Sequence, residues 1–359
     1  MLPSGYIESR TTFCTLAKKL GAELHAFPHE EQAPGASALS TDVACFGPVE
    51  ADTIIVIASG THGVEGYAGA ACQQRFMQTF NANYANTGIT YLLVHAVNPW
   101  GFLNDRRVTQ EGIDLNRNFV DFPVAKKQSS GYGAYHPMLV SNYRPMPVGL
   151  WNEVRLMSGA LGRERRQAMR AAITSGQYDY PDGLFFGGQG PARSRVVWEK
   201  IIDTCVGQRK RAFLLDLHSG LGKYGVGELI SYLHEDSVDF RRMSGWFHGS
   251  LKSMADGSSV SAAVDGTLTA AFDRTVSGES YAIGLEFGTR SALSVLNAMR
   301  ADQWYHNNAV SLSGKYREQV RRKMKNAFAP TDSGWHDLII KRFDQVMGEL
   351  VGGIAPSGG

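Results

Sequence analysis

The run Thr53-Ile-Ile-Val-Ile-Ala-Ser-Gly-Thr-His62-Gly-Val-Glu65-Gly66 does most to restrict the fold. Ile54 to Ile57 are consecutive apolar, β-favouring residues, and a strand that is apolar on both faces belongs in a sheet covered on both sides. Gly60, Gly63 and Gly66 then let the backbone turn tightly, and from Val64 onward Tyr67, Cys72, Phe76 and Phe80 follow a helical pattern. His62 and Glu65 therefore fall in a strand-to-helix turn at the carboxyl edge of a sheet, where open α/β folds place ligands. An imidazole and a carboxylate at this spacing can reach one cation, and two histidines with one glutamate form an open zinc set whose fourth position takes water. Alone, the pair reads equally well as a surface turn with a capping glutamate.

Other apolar strands end in the same way. Thr90 to Val97 runs into Asn98-Pro99-Trp100-Gly101-Phe102, a sequence that forces the chain off the sheet. The stretch from Asn104 to Phe119 follows, with Arg106, Arg107, Asp114, Asn116 and Arg117. An arginine fork can hold a carboxylate through two parallel hydrogen bonds, although such a stretch can also satisfy its own backbone. Ala212 to Leu217 is apolar around Asp216 and ends at His218. Asp216 and His218 share a strand face, so the carboxylate can orient the ring; by itself His218 reads more often as a hydrogen-bonded structural histidine. Tyr281 to Phe287 carries Glu286 within an apolar strand, where burial disfavours the charged form and suits the group to general-base work.

The remaining chain predicts the covering layers. Ser9 to Leu24 reads as an amphipathic helix, then a loop to about Leu39 and a short strand at Val43 to Phe46. Pro123 to Ser194 reads as an insertion with one helix from Gly149 to Thr174; its Gln177 to Gly188 part is either a flap over a pocket or a packed loop. Helices are expected at Val196 to Gly207, Val238 to Met254, Ala292 to Tyr305, Ser311 to Ala327 and Gly334 to Val351, and strands at Glu228 to Leu233 and Thr267 to Asp273. Residues 1–351 form one domain, and Gly352 to Gly359 a frayed tail.

Composition removes several function classes. With 36 Lys+Arg against 34 Asp+Glu the net charge is +2, which gives no argument for nucleic acid or a membrane surface. The basic clusters at Arg163 to Arg166 and Gln208 to Arg211 read as solvated faces. No apolar run approaches a membrane span, and Met1-Leu-Pro-Ser-Gly-Tyr lacks the layout of a secretory signal, so a cytoplasmic location is expected. Cys14, Cys45, Cys72 and Cys205 are scattered and read as reduced, packed thiols. Gly220-Leu-Gly-Lys-Tyr-Gly225 matches a dinucleotide pattern, but a strand follows where a helix is required. His234-Glu235 opens like a zinc helix, yet Val238 stands where the second histidine is needed.

In order, these motifs are a strand with His62-x-x-Glu65, Asn-Pro-x-Gly-Phe, Arg107, Asp-Leu-Asn116-Arg117-Asn-Phe, Asp-Leu-His218-Ser and Glu286-Phe-Gly. The combination resembles the zinc carboxypeptidase superfamily, which includes the succinylglutamate desuccinylase and aspartoacylase deacylases. Gly-Leu-Phe-Phe-Gly-Gly and His-Ser-Gly-Leu-Gly look like a bacterial subgroup of it. The resemblance implies a three-layer α/β/α fold with a central mixed, mostly parallel sheet. It makes His62, Glu65 and His218 the ligands of one Zn2+ per chain, and Glu286 the base and proton shuttle. It makes Arg107 the group that polarises the scissile carbonyl, with Arg106 as runner-up, and Asn116 and Arg117 the grip on a substrate carboxylate. The tyrosine that digestive carboxypeptidases bring over the substrate has no clear counterpart; Tyr224 and Tyr281 are the candidates. The implied activity is hydrolysis of an amide bond beside a free carboxylate, with carboxypeptidase action on a small peptide placed ahead of N-acyl-amino-acid deacylation. The rival from another class is a binding protein on a decayed hydrolase scaffold.

Overall fold

The computed structural model describes residues 1–32, 38–125, 131–141, 143–145, 154, 162–309 and 313–354. Among them one sheet of eight strands dominates: β1 (Glu23–Gln32), β2 (Ala38–Phe46), β3 (Thr53–Ser59), β4 (Thr90–His95), β5 (Arg211–Gly220), β6 (Gly227–Ser231), β7 (Leu251–Ser253) and β8 (Glu279–Gly288). Their spatial order is β1-β2-β4-β3-β5-β8-β6-β7. The centre, β4-β3-β5-β8, is parallel, while β1, β2 and the β6–β8 pairing are antiparallel. Every residue of β3 and β4 is buried, as expected of strands covered on both faces.

Helices cover both faces. They are α1 (Tyr6–Lys19), α2 (Gly66–Asn83), α3 (Pro99–Leu103), α4 (Arg163–Thr174), α5 (Arg193–Ile201), α6 (Val238–Trp246), α7 (Leu268–Thr275), α8 (Ala292–Asn308), α9 (Gly314–Phe328) and α10 (Ser333–Ile354). One face of the sheet, with Ile57, Leu215 and Leu285, packs on Cys72 and Phe76 of α2 and on Phe343 and Met347 of α10. The other, with Val56, Leu214 and Ala282, packs on Trp198 and Ile201 of α5 and on Leu268 and Phe272 of α7. Side chains alternate along a strand, so Asp216 and His218 continue the second face, and the register pairs His218 with Glu286 there. The fold is three layers, α/β/α, around a mixed sheet.

Several local expectations are corrected. Thr267 to Asp273 is not a strand: the Thr267 hydroxyl accepts the Ala270 amide hydrogen at 3.2 Å, capping α7, and Leu268, Ala271 and Phe272 are buried at helical spacing. The loop expected before Leu39 contains β1, an edge strand that accommodates Pro28 where the register shifts. The helix from Val238 stops at Trp246 because His248 and Gly249 take left-handed φ values of 50° and 77°, and β7 follows. Gly352 to Ile354 belong to α10, whereas 355–359 lie outside the described residues, as do 149–153 and 155–161 of the helix expected from Gly149. After Gly220 the chain loops into β6 with no helix, so the dinucleotide pattern lacks its required context. No helix among the described residues is long and apolar enough to cross a membrane.

Candidate functional site

The turn after β3 is shaped by close backbone approach. A Cβ on Gly63 would stand 2.1 Å from the Gly101 carbonyl carbon, so only glycine fits. The Gly63 and Val64 amides donate to the Arg107 and Arg106 carbonyls at 3.1 and 2.8 Å, stitching the turn to the loop after α3. The Asn98 side chain caps α3 by accepting the Gly101 amide hydrogen at 2.9 Å. Arg107 is thereby held beside Glu65.

His62, Glu65 and His218 come together from two strand ends, all buried, with ligand atoms within 4.8 Å of one another. The imidazole centroids are 5.0 Å apart. Nδ1 of His62 lies 3.0 Å from Glu65 Oε1, and Nδ1 of His218 lies 2.9 Å from Glu65 Oε2. The other nitrogen of each ring meets a carboxylate: His62 Nε2 is 3.1 Å from Asp114 Oδ1, and His218 Nε2 is 2.6 Å from Asp216 Oδ2. This is the pattern of metal-ligating histidines, whose far nitrogen is fixed by an acceptor so that the near one is free to bind. His62 Nδ1 is buried and has no hydrogen-bond partner among the described residues. A buried polar atom in that condition calls for a partner, and a cation held by His62, Glu65 and His218 would supply one. The set of two imidazoles and one carboxylate fits Zn2+.

The electrostatics suit a cation. Burial alone would raise the Glu65 pKa, but His62 and His218 hold it well below the ordinary carboxylate range. Burial opposes charge on His218 too, yet Asp216 and Glu65 raise its pKa well above the ordinary histidine value. The same contest, won by Arg107 and His62, keeps Asp114 ionised. Glu286 behaves oppositely: burial, then the charge of Glu65, pushes its carboxyl up towards neutrality. Its Oε1 accepts the Leu221 amide hydrogen at 2.8 Å.

Arg107 bridges two of these carboxylates, donating from Nη1 to Glu65 Oε1 at 2.8 Å and from Nε to Asp114 Oδ2 at 3.0 Å. Arg106, the runner-up for the carbonyl role, faces away: its Nε donates to Asp302 at 2.9 Å and its Nη2 to Gln303 at 3.3 Å. Of the two, Arg107 is the one whose guanidinium meets the metal-ligand cluster. The Asn116 side-chain oxygen accepts the Leu268 amide hydrogen at 2.9 Å. Arg117 is buried and donates to the Thr174 and Asn116 carbonyls. Neither capping-tyrosine candidate joins the cluster. Tyr281 stacks on Phe213 with centroids 5.3 Å apart, and the Tyr224 hydroxyl donates to Asp332.

Sequence reasoning gave Asp114 and Phe185 no role. Asp114 is fully buried, and its Oδ1 also accepts the Asn116 amide hydrogen at 3.1 Å. The Phe185 ring lies 5.9 Å from the Arg107 guanidinium carbon and 5.6 Å from that of Arg117. A charged residue between apolar Ile113 and Leu115 was the available signal for Asp114; nothing local marks Phe185.

Comparison with known proteins agrees with this architecture. A family model described as "Protein of unknown function (DUF2817)" matches residues 3–342. No curated protein matches the sequence. Among solved structures, the carboxypeptidase A of Helicoverpa armigera aligns with a TM-score of 0.51 at 11% identity, covering 91% of this chain and 74% of that one. A putative metallopeptidase from Shewanella denitrificans aligns at 0.35 and 14% identity, covering 98% and 90%. An aspartoacylase family protein from Mesorhizobium loti aligns at 0.38 and 15%, covering 74% and 61%. The first likeness shows the fold to be carboxypeptidase A-like.

Proposed function

For a chain that belongs to the family described as "Protein of unknown function (DUF2817)", we propose a zinc-dependent hydrolase of amide bonds. One observation carries the reading: two histidines turn their Nδ1 atoms to one glutamate while each far nitrogen is held by its own carboxylate, and Glu286 is paired in register beside them. Purely structural histidines have no need of that arrangement. His62, Glu65 and His218 would hold one Zn2+, which supplies Lewis acidity and lowers the pKa of water beside it.

The chain's own residues account for the rest of the chemistry. Glu286, its carboxyl raised towards neutrality by burial and by Glu65, takes the proton of the attacking water and returns it to the leaving amine nitrogen. The Leu221 amide fixes Oε1, so the carboxylate keeps one orientation throughout. Arg107, anchored by Glu65 and Asp114, places a fixed positive charge beside the metal ligands, where the carbonyl oxygen gains negative charge. A preorganised donor of this kind is worth about 3 kcal/mol of barrier. Asp114 and Asp216 hold the imidazoles in the tautomer that leaves Nδ1 free.

Within this chemistry, small peptides with a free C-terminal carboxylate are the first substrate class and N-acyl amino acids the second. The test is a panel of short peptides, their C-terminal amides and N-acyl amino acids, assayed with zinc restored. Amide cleavage that disappears on chelation and in Glu286→Gln supports the reading. Cleavage that survives both rejects it.

A further inference from the structure

Arg117 is almost wholly enclosed, and three of its five N–H donors are engaged on backbone carbonyls within the protein. Nε and Nη2 both donate to the Thr174 carbonyl, at 3.1 and 2.6 Å, and Nη1 donates to the Asn116 carbonyl at 2.8 Å. Thr174 is the last residue of α4, so its carbonyl is among those that a helix leaves without an intrahelical partner. A cation there also meets the negative end of the helix dipole.

The helix needs the help. α4 is short and mostly polar, with Met169 and Ile173 as its buried apolar residues. A helix of 12 residues is marginal without tertiary packing. Among the described residues, Met169 and Ile173 pack into the core, and Arg170 ties the helix to the body by donating to the Val260 carbonyl.

The segment after α4 is fitted around the same arginine. Gly176 has φ +101°, and a Cβ there would stand 2.7 Å from Arg117 Cδ. The Tyr178 hydroxyl donates to the Arg117 carbonyl at 2.7 Å. The Asp114 amide donates to the Phe186 carbonyl at 2.8 Å, and Asn118 Nδ2 to that of Gly187 at 2.8 Å. Phe185 closes over the guanidinium and reaches Arg107 with the same ring.

We propose that Arg117 is a positioning residue: it docks α4 and the Gln177 to Gly188 segment against the metal centre, and so sets Phe185 on Arg107, instead of receiving a substrate carboxylate. The substrate class changes accordingly. If the hydrolase reading holds, on which this half of the proposal rests, cleavage does not require a free carboxylate at Arg117. C-terminal acids and their amides are then both substrates.

The test compares wild type with Arg117→Met, Arg117→Lys and Gly176→Ala, which disturbs the contact while leaving the arginine in place. Hydrogen–deuterium exchange is read across 163–188 and across β5 and β8, with zinc content measured alongside. The expected result is exchange at least about tenfold faster in 163–188 for Arg117→Met and Gly176→Ala, the scale of losing hydrogen bonds made by a charged group. Arg117→Lys should lie between, with β5, β8 and zinc unchanged. Unchanged exchange in 163–188 overturns the proposal even if no substrate is ever cleaved. On the substrate panel, Arg117→Met should lower kcat equally for acid and amide partners, and Arg117→Lys should recover part of it. A KM rise confined to free acids, or no loss on either, overturns the proposal while leaving the hydrolase reading intact.

Discussion

Asp216→Asn should weaken zinc binding by between about tenfold and a hundredfold, the range for removing the partner of a ligating histidine. Asp216 is fully buried, its Oδ2 is 2.6 Å from His218 Nε2, and its Oδ1 accepts from the Thr61 hydroxyl at 2.8 Å. Two orientations of the new amide bracket the effect. If its oxygen faces His218, the tautomer survives and only the charge is lost, since the Thr61 hydroxyl can accept from the amide nitrogen. If its nitrogen faces the ring, Nε2 must accept, the proton moves to Nδ1, and the ligand atom is blocked. At 1.36 kcal/mol per factor of ten, the range is about 1.4–2.7 kcal/mol, which overlaps the roughly 1.5–3 kcal/mol expected of a hydrogen bond to a charged group. Competition against a chromophoric chelator at fixed pH measures it, with Thr61→Val as a milder control. A folded Asp216→Asn protein that binds zinc within about twofold of wild type would refute the role given to this carboxylate.

Glu286→Gln should lower turnover by about 10²–10⁴, the scale of general acid–base catalysis, with zinc affinity unchanged in the same chelator assay; equal turnover would remove Glu286 from the chemistry. In the metal-free protein, the raised Glu286 pKa favours the neutral carboxyl on folding, a contribution intact below the ordinary value of 4.5 and lost as pH rises through the folded value of about 7. Because glutamine stays neutral, the Tm of metal-free Glu286→Gln should gain on wild type across that window, and a flat difference would contradict the shift. Gly63→Ala places a Cβ 2.1 Å from the Gly101 carbonyl carbon, so it should displace the His62 to Glu65 turn and weaken zinc binding; an unchanged dissociation constant would show that the turn is not held there.

The parts of the site that were legible from sequence lie where buried strands end. β3 reads as continuous apolar residues and stops at small and polar ones, so the position of His62 and Glu65 followed from local pattern, and His218 and Glu286 likewise. What escaped depended on distant contacts. Asp114 acquires its role from His62, 52 residues earlier, and Arg117 meets Thr174, 57 residues later. Arg106 and Arg107 are adjacent, and what separates their side chains is distant in sequence: Arg106 donates to Asp302 and Gln303, Arg107 to Glu65 and Asp114. Thr267 to Asp273 is too short for a helical and an extended period to be told apart without its cap. β1 was hidden because Pro28 and the polar residues around it suit only an edge strand.

Elemental analysis of purified wild type and His218→Ala, after chelation and reconstitution with one equivalent of zinc followed by gel filtration, bears most directly on the metal centre. One zinc per wild-type chain and almost none on a folded His218→Ala chain is the predicted result. Equal zinc on the two proteins, or none on either, would contradict a centre built by His62, Glu65 and His218.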